Sequence, residues 1–475
     1  MNFERVTKEN IAILREYYKI CGYKISDYSA GIKLMWKNAD AEFAIAAGCL
    51  IVREKTGGGQ YAFNYPVSLE GRANGCGCEG GDLSIPLALK ECAAFCAENF
   101  TPFRLCAVPR GMICEIASLF PEIEVSARRN TDDYLYLAAD FIGFSGKKYA
   151  GQRNHVRKFH SLYPTAVFEK FSALDKPRIR RFFKRLEKGV SAESKGAKTE
   201  LKYARAMAEE IGENGSFAGG YTLNGELLSF SLGEICGETL VNHIEKGLPE
   251  YEGVYPATVQ AFATAFAGGV KYINREDDAG SRGLRISKLQ YQPLEILAKY
   301  DVKIKTPLNR LKKVPTVRGE NGVCLTPISE RDIPEYNRLC LDDERNRWWG
   351  YDYRKDCEHP ARDWFYKDQK KDFASRTAMN FAIRKDERFA GEVILYNFDF
   401  CGGAEIGVRI LPEFDGQGIG RYAFNLAAGY AIYKLELSKI KGKCLKENIA
   451  SEKMLSSVMK KSGEDGQYYY YTKIV

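Results

Sequence analysis

Residues 405–423 read EIGVRILPEFDGQGIGRYA, and this stretch decides the fold class of the C-terminal part of the chain. The apolar residues of 404–411 predict a strand, alternating glycines follow at positions 416, 418 and 420, and a helix is predicted over 421–433. Such a turn directs unpaired backbone N–H groups and the positive end of the helix dipole towards one point, which suits a pyrophosphate group. Glycine allows the backbone to approach such a ligand closely.

Two other interpretations of the glycine turn stay open. A dinucleotide-binding Rossmann turn requires its strand early in a parallel βαβ unit and an acidic residue about 20 residues later. Here two further strands, predicted at 379–384 and 391–398, precede the turn, and the third, more distant glycine of the Rossmann pattern is missing. A purely structural glycine turn is the second alternative. The order of the elements favours a pyrophosphate site outside the Rossmann class.

The segment resembles motif A of the GNAT acyltransferase superfamily, whose pattern is Q/R-x-x-G-x-G/A at the start of a helix. The stretch Asn448–Ser451 resembles the second cofactor motif of that superfamily. The resemblance covers residues 323–475 and implies N-acyl transfer from acyl-CoA, with acetyl-CoA (coenzyme A) as the cofactor and a small-molecule or peptide amine as the acceptor. It implies that the cofactor is bound by Val408, Ile410, Gly416, Gln417, Gly418, Ile419, Gly420, Arg421 and Asn448.

Two residues of this segment are candidates for catalysis. Glu405, on the strand before the turn, is the candidate base that removes a proton from the amine, directly or through a water molecule. An ordinary exposed strand carboxylate is the alternative. Leu455 stands where the superfamily has a tyrosine that protonates the departing thiolate, and Ser451 is the candidate substitute. Asp415 is a further departure, because the superfamily has Gln or Arg there.

Aromatic residues precede these motifs in the stretch 346–353, which resembles acceptor-side loops of ribosomal-protein-type N-acetyltransferases. They are either the lining of an acceptor pocket or ordinary core and rim aromatics: Trp348, Trp349, Tyr351 and Tyr353. With only four histidines and scattered cysteines, the chain is expected to bind no metal.

A second concentration of charge occurs at residues 272–293, which read YINREDDAGSRGLRISKLQYQP. With 243–246, it resembles a family related to the C-terminal domain of phosphatidylglycerol lysyltransferases, over residues 1–305. The resemblance implies two GNAT-like halves in tandem, and relatives that transfer aminoacyl groups from aminoacyl-tRNA to an amine or hydroxyl. The predicted ligand-site residues of this N-terminal module are His243, Glu245, Lys246, Asn274, Glu276, Asp278, Arg285 and Lys288.

Two alternatives to aminoacyl transfer stay open for this module. The charged stretch is otherwise a solvated loop, or the module recognises a ligand or partner without catalysis. The segment 147–189 has 13 Lys or Arg residues against 3 Asp or Glu residues, which suits the acceptor stem of tRNA. A solvated basic helix face is the alternative for that segment.

The length and composition of the chain indicate the number of domains. A chain of 475 residues with 45% hydrophobic residues and a net charge of +8 excludes disorder as its dominant state and predicts about three domains. We expect an α/β (α+β) protein of three tandem GNAT-like units, with mixed, mostly antiparallel sheets flanked by helices. The predicted bounds are 1–145, 146–305 and 323–475, with a linker at 306–322.

The sequence also shows whether the patterns of membrane spans and signal peptides are present. No apolar run reaches the roughly 20 residues of a membrane span, and 43–52 is predicted to be one buried strand. The N-terminal residues lack the apolar stretch of a signal peptide, so we expect a cytoplasmic location and no membrane span. The oligomeric state is left open.

Overall fold

The structure, a computed structural model, describes residues 1–35, 40–69, 83–189, 195–209, 211–212, 215–349 and 360–474. The chain divides into two compact units. The first consists of Met1–Leu89, Arg104–Ile116 and Val125–Val302, and the second of Lys90–Phe103, Ala117–Glu124 and Lys303–Val475.

The first sheet takes seven of its eight strands from the N-terminal part of the chain. They are β1 (Glu4–Arg5), β2 (Glu42–Ala46), β3 (Cys49–Lys55), β4 (Tyr61–Phe63), β5 (Val67–Ser68), β6 (Arg104–Pro109) and β7 (Ile123–Ala127). Strands β1 to β4 pair antiparallel in succession, and β4 pairs parallel with β6. The helices of this part of the chain are α1 (Ile11–Ile20), α2 (Ala30–Met35), α3 (Ser84–Glu98) and α4 (Ile113–Leu119).

The single strand predicted over 43–52 is wrong, because β2 and β3 form a hairpin there. Ala47 and Gly48 have positive φ angles of 50° and 75°, as the central residues of a tight hairpin turn do. The apolar residues continue on both sides of this turn and conceal it in the sequence.

The second sheet also has eight strands and lies in the first unit. They are β8 (Asp133–Leu137), β9 (Val167–Phe171), β10 (Phe217–Leu223), β11 (Glu226–Leu227), β12 (Ser229–Cys236), β13 (Thr239–Gly247), β14 (Tyr272–Asn274) and β15 (Glu295–Leu297). Strand β13 pairs parallel with β14, and the other pairs are antiparallel. The helices are α5 (Ala138–Gly143), α6 (Ala150–Leu162), α7 (Lys176–Gly189), α8 (Lys195–Ala208), α9 (Val254–Phe266) and α10 (Arg282–Gln290).

The next strand, β16 (Lys299–Ile304), returns to the first sheet and lies between β6 and β7. It is the eighth strand of that sheet.

The third sheet lies in the second unit. Its strands are β17 (Val317–Arg318), β18 (Val323–Pro327), β19 (Met379–Lys385), β20 (Arg388–Tyr396), β21 (Gly403–Ile410), β22 (Lys439–Leu445), β23 (Lys460–Glu464) and β24 (Tyr468–Ile474). Strand β21 pairs parallel with β22, and the remaining pairs are antiparallel. The helices are α11 (Ile333–Leu341), α12 (Asp343–Trp349), α13 (Trp364–Ser375), α14 (Ile419–Tyr433) and α15 (Ile449–Val458).

Packing against α14 fixes the direction of the side chains on β21. Ala404 and Ile406 belong to the same buried cluster as Ala423 and Phe424 of α14. Because side chains alternate along a strand, the odd-numbered residues from Glu405 onwards face the opposite side of the sheet. One face of β21 therefore serves the core, and the other faces α11 and α12.

The predicted fold class is confirmed: the chain is a mixed α/β protein with three mixed, mostly antiparallel sheets flanked by helices. The residue bounds of the three tandem units stay a prediction. Among the described residues, no helix has the length and apolar character that crossing a membrane requires.

Candidate functional site

The parallel pair of the third sheet separates partway along its length. Strand β21 pairs with β20 over Glu405–Ile410, whereas its pairing with β22 covers only Gly403–Glu405. Beyond Glu405, the edge of β21 that faces β22 is not used by strand pairing within the described part of the chain. An extended ligand with amide groups can therefore hydrogen-bond to this edge in the manner of an added strand.

The glycine turn lies between β21 and α14. Gly416 and Gly418 have φ angles of 71° and 74°, a left-handed conformation that favours glycine, and Gly418 is the N-cap residue of α14. A Cβ atom added at either position would meet no atom within 4 Å, so the space beside both residues is unfilled. The first N–H groups of α14 and its dipole face this space, which makes the turn a suitable site for an anion.

The other residues predicted to bind the cofactor differ in their burial and contacts. Gly420 packs closely on Ile410, since a Cβ there would lie 3.3 Å from the Ile410 Cγ1 atom. Gln417 is exposed, and its side chain donates to the Glu413 carbonyl at 3.0 Å. Ile419 is buried, Val408 packs against the core and Arg421 is exposed.

Asn448 and Ser451 contact each other at the start of α15. Asn448 is the N-cap residue, and its Oδ1 atom accepts the backbone N–H of Ser451 at 3.0 Å. This bond uses the Ser451 backbone and not its hydroxyl group. The hydroxyl group is therefore not what holds the start of the helix.

Arg345 is a residue of this site that the sequence reasoning missed. It lies on α12, and its guanidinium forms an ion pair with the carboxylate of Asp415, directly before the glycine turn. Its Nε atom is buried and has no hydrogen-bond partner among the described residues. The unfavourable carboxylate beside the anion site is thus neutralised. No local signal predicts the pair, because the two residues are 70 positions apart.

Glu405 has one carboxylate oxygen in use and one without a partner. Its Oε1 atom accepts from Asn397 Nδ2 at 2.7 Å, whereas its Oε2 atom is buried without a hydrogen bond in the described structure. A buried carboxylate oxygen in this state can accept a proton or a water molecule. Glu405 is therefore more than an exposed strand carboxylate.

Trp349 lies against the same face of β21. A Cβ atom on Gly407 would be 2.6 Å from the Trp349 Cη2 atom, so the glycine lets the indole ring lie on the strand. The guanidinium of Arg409 is 4.7 Å from the ring centroid. Glu405, two residues before Gly407, lies on the same face of β21 as the contact with Trp349. Trp348 contacts Arg347, at 4.7 Å from its ring centroid, and Tyr351 and Tyr353 lie outside the described residues.

A buried polar network holds this face in place. Glu392 is fully buried and accepts hydrogen bonds from Tyr336 (2.7 Å), Asn380 (2.6 Å) and Arg409 Nε (2.8 Å). A buried carboxylate that accepts several hydrogen bonds is held in one position. The network therefore fixes α11 against β20 and β21.

The N-terminal candidate site is centred on a β-bulge. The register between β12 and β13 shifts at Leu232 and Gly233, and His243 is the residue left without a partner. A bulge re-aims a side chain, and His243 is directed between two carboxylates. Its Nδ1 atom lies 2.7 Å from Glu276 and its Nε2 atom 2.9 Å from Glu234. Burial alone would lower the pKa of His243, but the bonds to Glu234 and Glu276 outweigh burial and raise the pKa to about 9.

Other predicted residues pair within the stretch 274–288. Arg285 donates to both oxygens of Asp278 at 2.8 and 2.9 Å, and these bonds hold the pKa of Asp278 well below its usual range. Lys288 Nζ donates to the carbonyl groups of Arg275 at 2.5 Å and Glu276 at 3.2 Å. The Asn274 Oδ1 atom accepts the Glu276 N–H at 2.6 Å. These bonds shape the chain after β14 into a fixed loop.

The structure brings seven of the eight predicted residues together and leaves Lys246 apart. Glu245 forms a pair with Arg275, with one contact at 2.5 Å. Lys246 is the next residue on the strand, so its side chain points to the other face of the sheet, where it contacts Glu200 at 2.5 Å. Arg275 and Asp278 are buried, which a solvated loop would not produce.

A neighbouring buried cluster was also missed in the sequence. Lys299 Nζ lies 2.6 Å from Asp27 and 2.7 Å from Asp133, and Asp133 accepts from Asn274 Nδ2 at 2.8 Å. These residues come from distant positions, so no sequence spacing could group them.

Ion pairs in the structure compensate part of the positive charge of the basic segment 147–189. Several of its cations pair with carboxylates: Lys158 with Glu252, Arg178 with Glu169, Arg180 with Glu209 and Arg185 with Glu250. The tRNA interaction stays a prediction.

Two parts of the chain match known protein families. Residues 323–462 match the family model described as acetyltransferase (GNAT) domain, so the second unit contains a GNAT acetyltransferase domain. Residues 18–303 match the model described as phosphatidylglycerol lysyltransferase, C-terminal, which covers more than half of the chain. The chain belongs to this family. Both resemblances expected from the sequence are confirmed.

Solved structures show partial similarity. A conserved protein of unknown function from Bacteroides thetaiotaomicron is 24% identical, with a TM-score of 0.57, over 64% of this chain and 99% of the other. Spermidine N-acetyltransferase from Vibrio cholerae, in complex with CoA and spermine, is 17% identical over 32% of this chain and 95% of the other, with a TM-score of 0.29. Mycobacterium smegmatis RimJ, in complex with CoA-disulfide, is 20% identical over 34% of this chain and 88% of the other, with a TM-score of 0.30. No curated protein matches the chain.

Proposed function

We propose that the C-terminal domain is an N-acyltransferase that moves an acyl group, specifically acetyl, from acetyl-CoA to an amine. The observation that carries this proposal is the unfilled space at Gly416 and Gly418, at the N-terminus of α14 and next to the separated edge of β21. The turn offers N–H groups to a pyrophosphate, and residues 406–410 offer backbone groups to the amides of the pantetheine arm.

The chemistry requires little from the protein beyond positioning and proton transfer. Coenzyme A would supply the acyl group as a thioester. A backbone N–H of β21 polarises the carbonyl, and Glu405 accepts the proton of the attacking amine through its unpartnered Oε2 atom or a water molecule. The hydroxyl group of Ser451 donates a proton to the thiolate that leaves and takes a proton back from water. Trp349 limits the space beside Gly407 and favours a small acyl group.

The test is CoA release from acetyl-CoA in the presence of polyamines and of peptides with free N-termini. Glu405→Gln should lower kcat by about 10²- to 10⁴-fold, because the amide cannot accept the proton, while the affinity for coenzyme A stays unchanged. Glu320→Gln, at an exposed position of the same compact unit, is the control. Wild-type turnover by Glu405→Gln would exclude Glu405 as the base.

Ser451→Ala tests the leaving-group step separately. The variant keeps the backbone N–H that Asn448 caps, so the helix start should be preserved. We expect the single-turnover rate to fall on the order of 10²-fold, with unchanged coenzyme A affinity. An unchanged rate would remove Ser451 from the mechanism.

A second candidate function is aminoacyl transfer by residues 18–303, and the family match supports it. Arg285, which is one-third exposed, and Asp278 would then contact the ligand. Transfer of labelled lysine from charged tRNA to an acceptor amine is the assay. Arg285→Met should abolish this transfer and leave coenzyme A binding intact, and transfer at the wild-type rate would exclude Arg285.

A further inference from the structure

A cavity of about 330 Å³ lies in the first unit, bordered by α1, α2, α8 and the chain around β1. Its volume is at the lower end of the range of about 300–1,000 Å³ that small-molecule sites occupy. Much of its wall is apolar: Val6, Leu34, Met35, Ala41, Ala206 and Met207. The cavity can therefore hold a small molecule with an apolar group.

Arg15 of α1 supplies a charge to this cavity. Its Nε atom is buried and has no hydrogen-bond partner among the described residues. The nearest carboxylate oxygen, Oε2 of Glu234, is 4.0 Å away, too far for a hydrogen bond. The other oxygen of Glu234 accepts from His243 and from the Gly31 N–H, so this carboxylate is held in place by other partners. Burial lowers the pKa of Arg15.

Two of the other cations that line the cavity make hydrogen bonds to side chains of the protein. Lys33 donates to Glu54 and, at 2.7 Å, to Asn64, and Arg5 donates to Asp40 at 2.9 Å. Arg15 is half-buried and, within the described part of the chain, has only the carboxylate of Glu234, 4.0 Å away, to compensate its charge. A buried Nε–H group without a hydrogen bond is costly, and an anion that enters the cavity would remove that cost.

We propose that this cavity binds a small monocarboxylate with an aliphatic or aromatic group, and that Arg15 is the anchor of its carboxylate. A guanidinium matches a planar carboxylate with two parallel hydrogen bonds. The carboxylate of Glu234, 4.0 Å from Arg15, disfavours a dianion such as phosphate. The apolar wall takes the remainder of the molecule. This site is separate from the acyl transfer proposed for residues 405–451.

The experiment titrates the full chain with hexanoate and 3-phenylpropanoate and measures binding by calorimetry and ligand-observed NMR. The matched probes are hexanamide and 3-phenylpropanamide, which have nearly the same shape and no charge, and inorganic phosphate. We expect at least one carboxylate to bind and its amide to bind on the order of 10- to 100-fold more weakly. No carboxylate binding at about 10 mM, or equal binding of amide or phosphate, would overturn the proposal.

Three variants locate the binding site. Arg15→Met should bind the carboxylate on the order of 10- to 100-fold more weakly with little loss of thermal stability, because the Nε atom of Arg15 makes no hydrogen bond to any described residue and its ion pair with Glu234 is long. Ala206→Phe should fill the cavity and weaken binding while it leaves Arg15 in place. Lys19→Met, at an exposed position of the same helix, should bind as the wild type does. Wild-type affinity in Arg15→Met, or in Ala206→Phe if Arg15→Met does not fold, contradicts the assignment.

Discussion

The second and third sheets contain the same succession of elements around a parallel strand pair. Two antiparallel strands lead into a helix, and the helix leads into a strand parallel to the second: β12, β13, α9 and β14 in one, β20, β21, α14 and β22 in the other. The parallel pairing covers three residues in both sheets, Thr239–Val241 with Tyr272–Asn274 and Gly403–Glu405 with Lys439–Lys441.

The helix starts differ in what lies beside them. Gly418 and Gly253 both precede their helices in the left-handed conformation, with φ angles of 74° and 81°. Beside Gly418 the space is unfilled, whereas a Cβ on Gly253 would clash with the carbonyl oxygen of His155 and lie 3.0 Å from Phe159. The space beside the glycine is open at Gly418 and is occupied by helix α6 at Gly253.

The strands beyond the parallel pairing differ as well. In the third sheet, the edge of residues 406–410 remains available. In the second sheet, His243 and Glu245 of β13 are engaged by Glu276 and Arg275 from the chain after β14. The two sheets thus share one arrangement of strands and helix but carry different residues beyond the parallel pairing. Such residues decide the function of a protein more than its topology does.

Gly418→Asp should have the largest effect, because it places a carboxylate beside the pyrophosphate site of the third sheet. We expect the affinity for coenzyme A, measured by calorimetry, to fall on the order of 10³-fold, since like charges in contact cost several kcal/mol. Gly466→Asp, at an exposed turn, is the control. Helix α6 covers the start of α9, whereas the start of α14 is open, so we expect the wild type to bind one coenzyme A per chain. Binding of two coenzyme A molecules per chain would contradict this difference between the two helices.

His243 should make the stability of the first unit depend on pH. Its pKa of about 9 in the folded chain lies above the unfolded value of about 6.5, so its contribution is complete below pH 6.5 and is lost as the pH rises through 9. The loss amounts to roughly 3 kcal/mol. Urea unfolding between pH 6 and 10 should show this slope in the wild type and not in His243→Gln. His155→Gln, at an exposed position, should keep the slope.

Gly253→Ala should destabilise the first unit by about 2 kcal/mol, because the methyl group meets α6 and the residue must keep a left-handed backbone. Thermal unfolding measures this loss. Coenzyme A affinity should not change. If Gly253→Ala instead weakened coenzyme A binding without a loss of stability, α9 would have to contribute to coenzyme A binding together with α14.

Arg345→Met should have the smallest effect. It leaves Asp415 uncompensated beside the anion site, and we expect the affinity for coenzyme A to fall about tenfold, as the loss of one partly exposed ion pair near a charged ligand does. Asp415→Asn in the same chain should restore most of the affinity. If the double variant binds no better than Arg345→Met, the ion pair does not act through the carboxylate.

Local signals in the sequence predicted many of these elements. The strands predicted at 379–384 and 404–411 correspond to β19 and β21, and the helix predicted over 421–433 ends at the residue where α14 ends. These elements follow from patterns among residues that lie within a few positions of each other. The glycine turn between strand and helix was predictable for the same reason.

Pairs of residues that are distant in the sequence were not predictable. Glu234 lies on β12, and nothing in the sequence indicates that a bulge directs His243 towards it. Arg345 and Asp415 meet only after the third sheet has folded. Electrostatic partners of this kind depend on topology, which a single sequence does not specify.

The position of β16 has a consequence for synthesis on the ribosome. Residues 4–127 supply the other seven strands of the first sheet, but β16, at Lys299–Ile304, lies between β6 and β7. While the chain is being translated, β6 and β7 present unpaired edges until residue 304 has emerged, and such edges recruit other nascent chains. Contacts this distant in sequence form slowly. The first sheet therefore stays incomplete until its last strand, β16, has been synthesised.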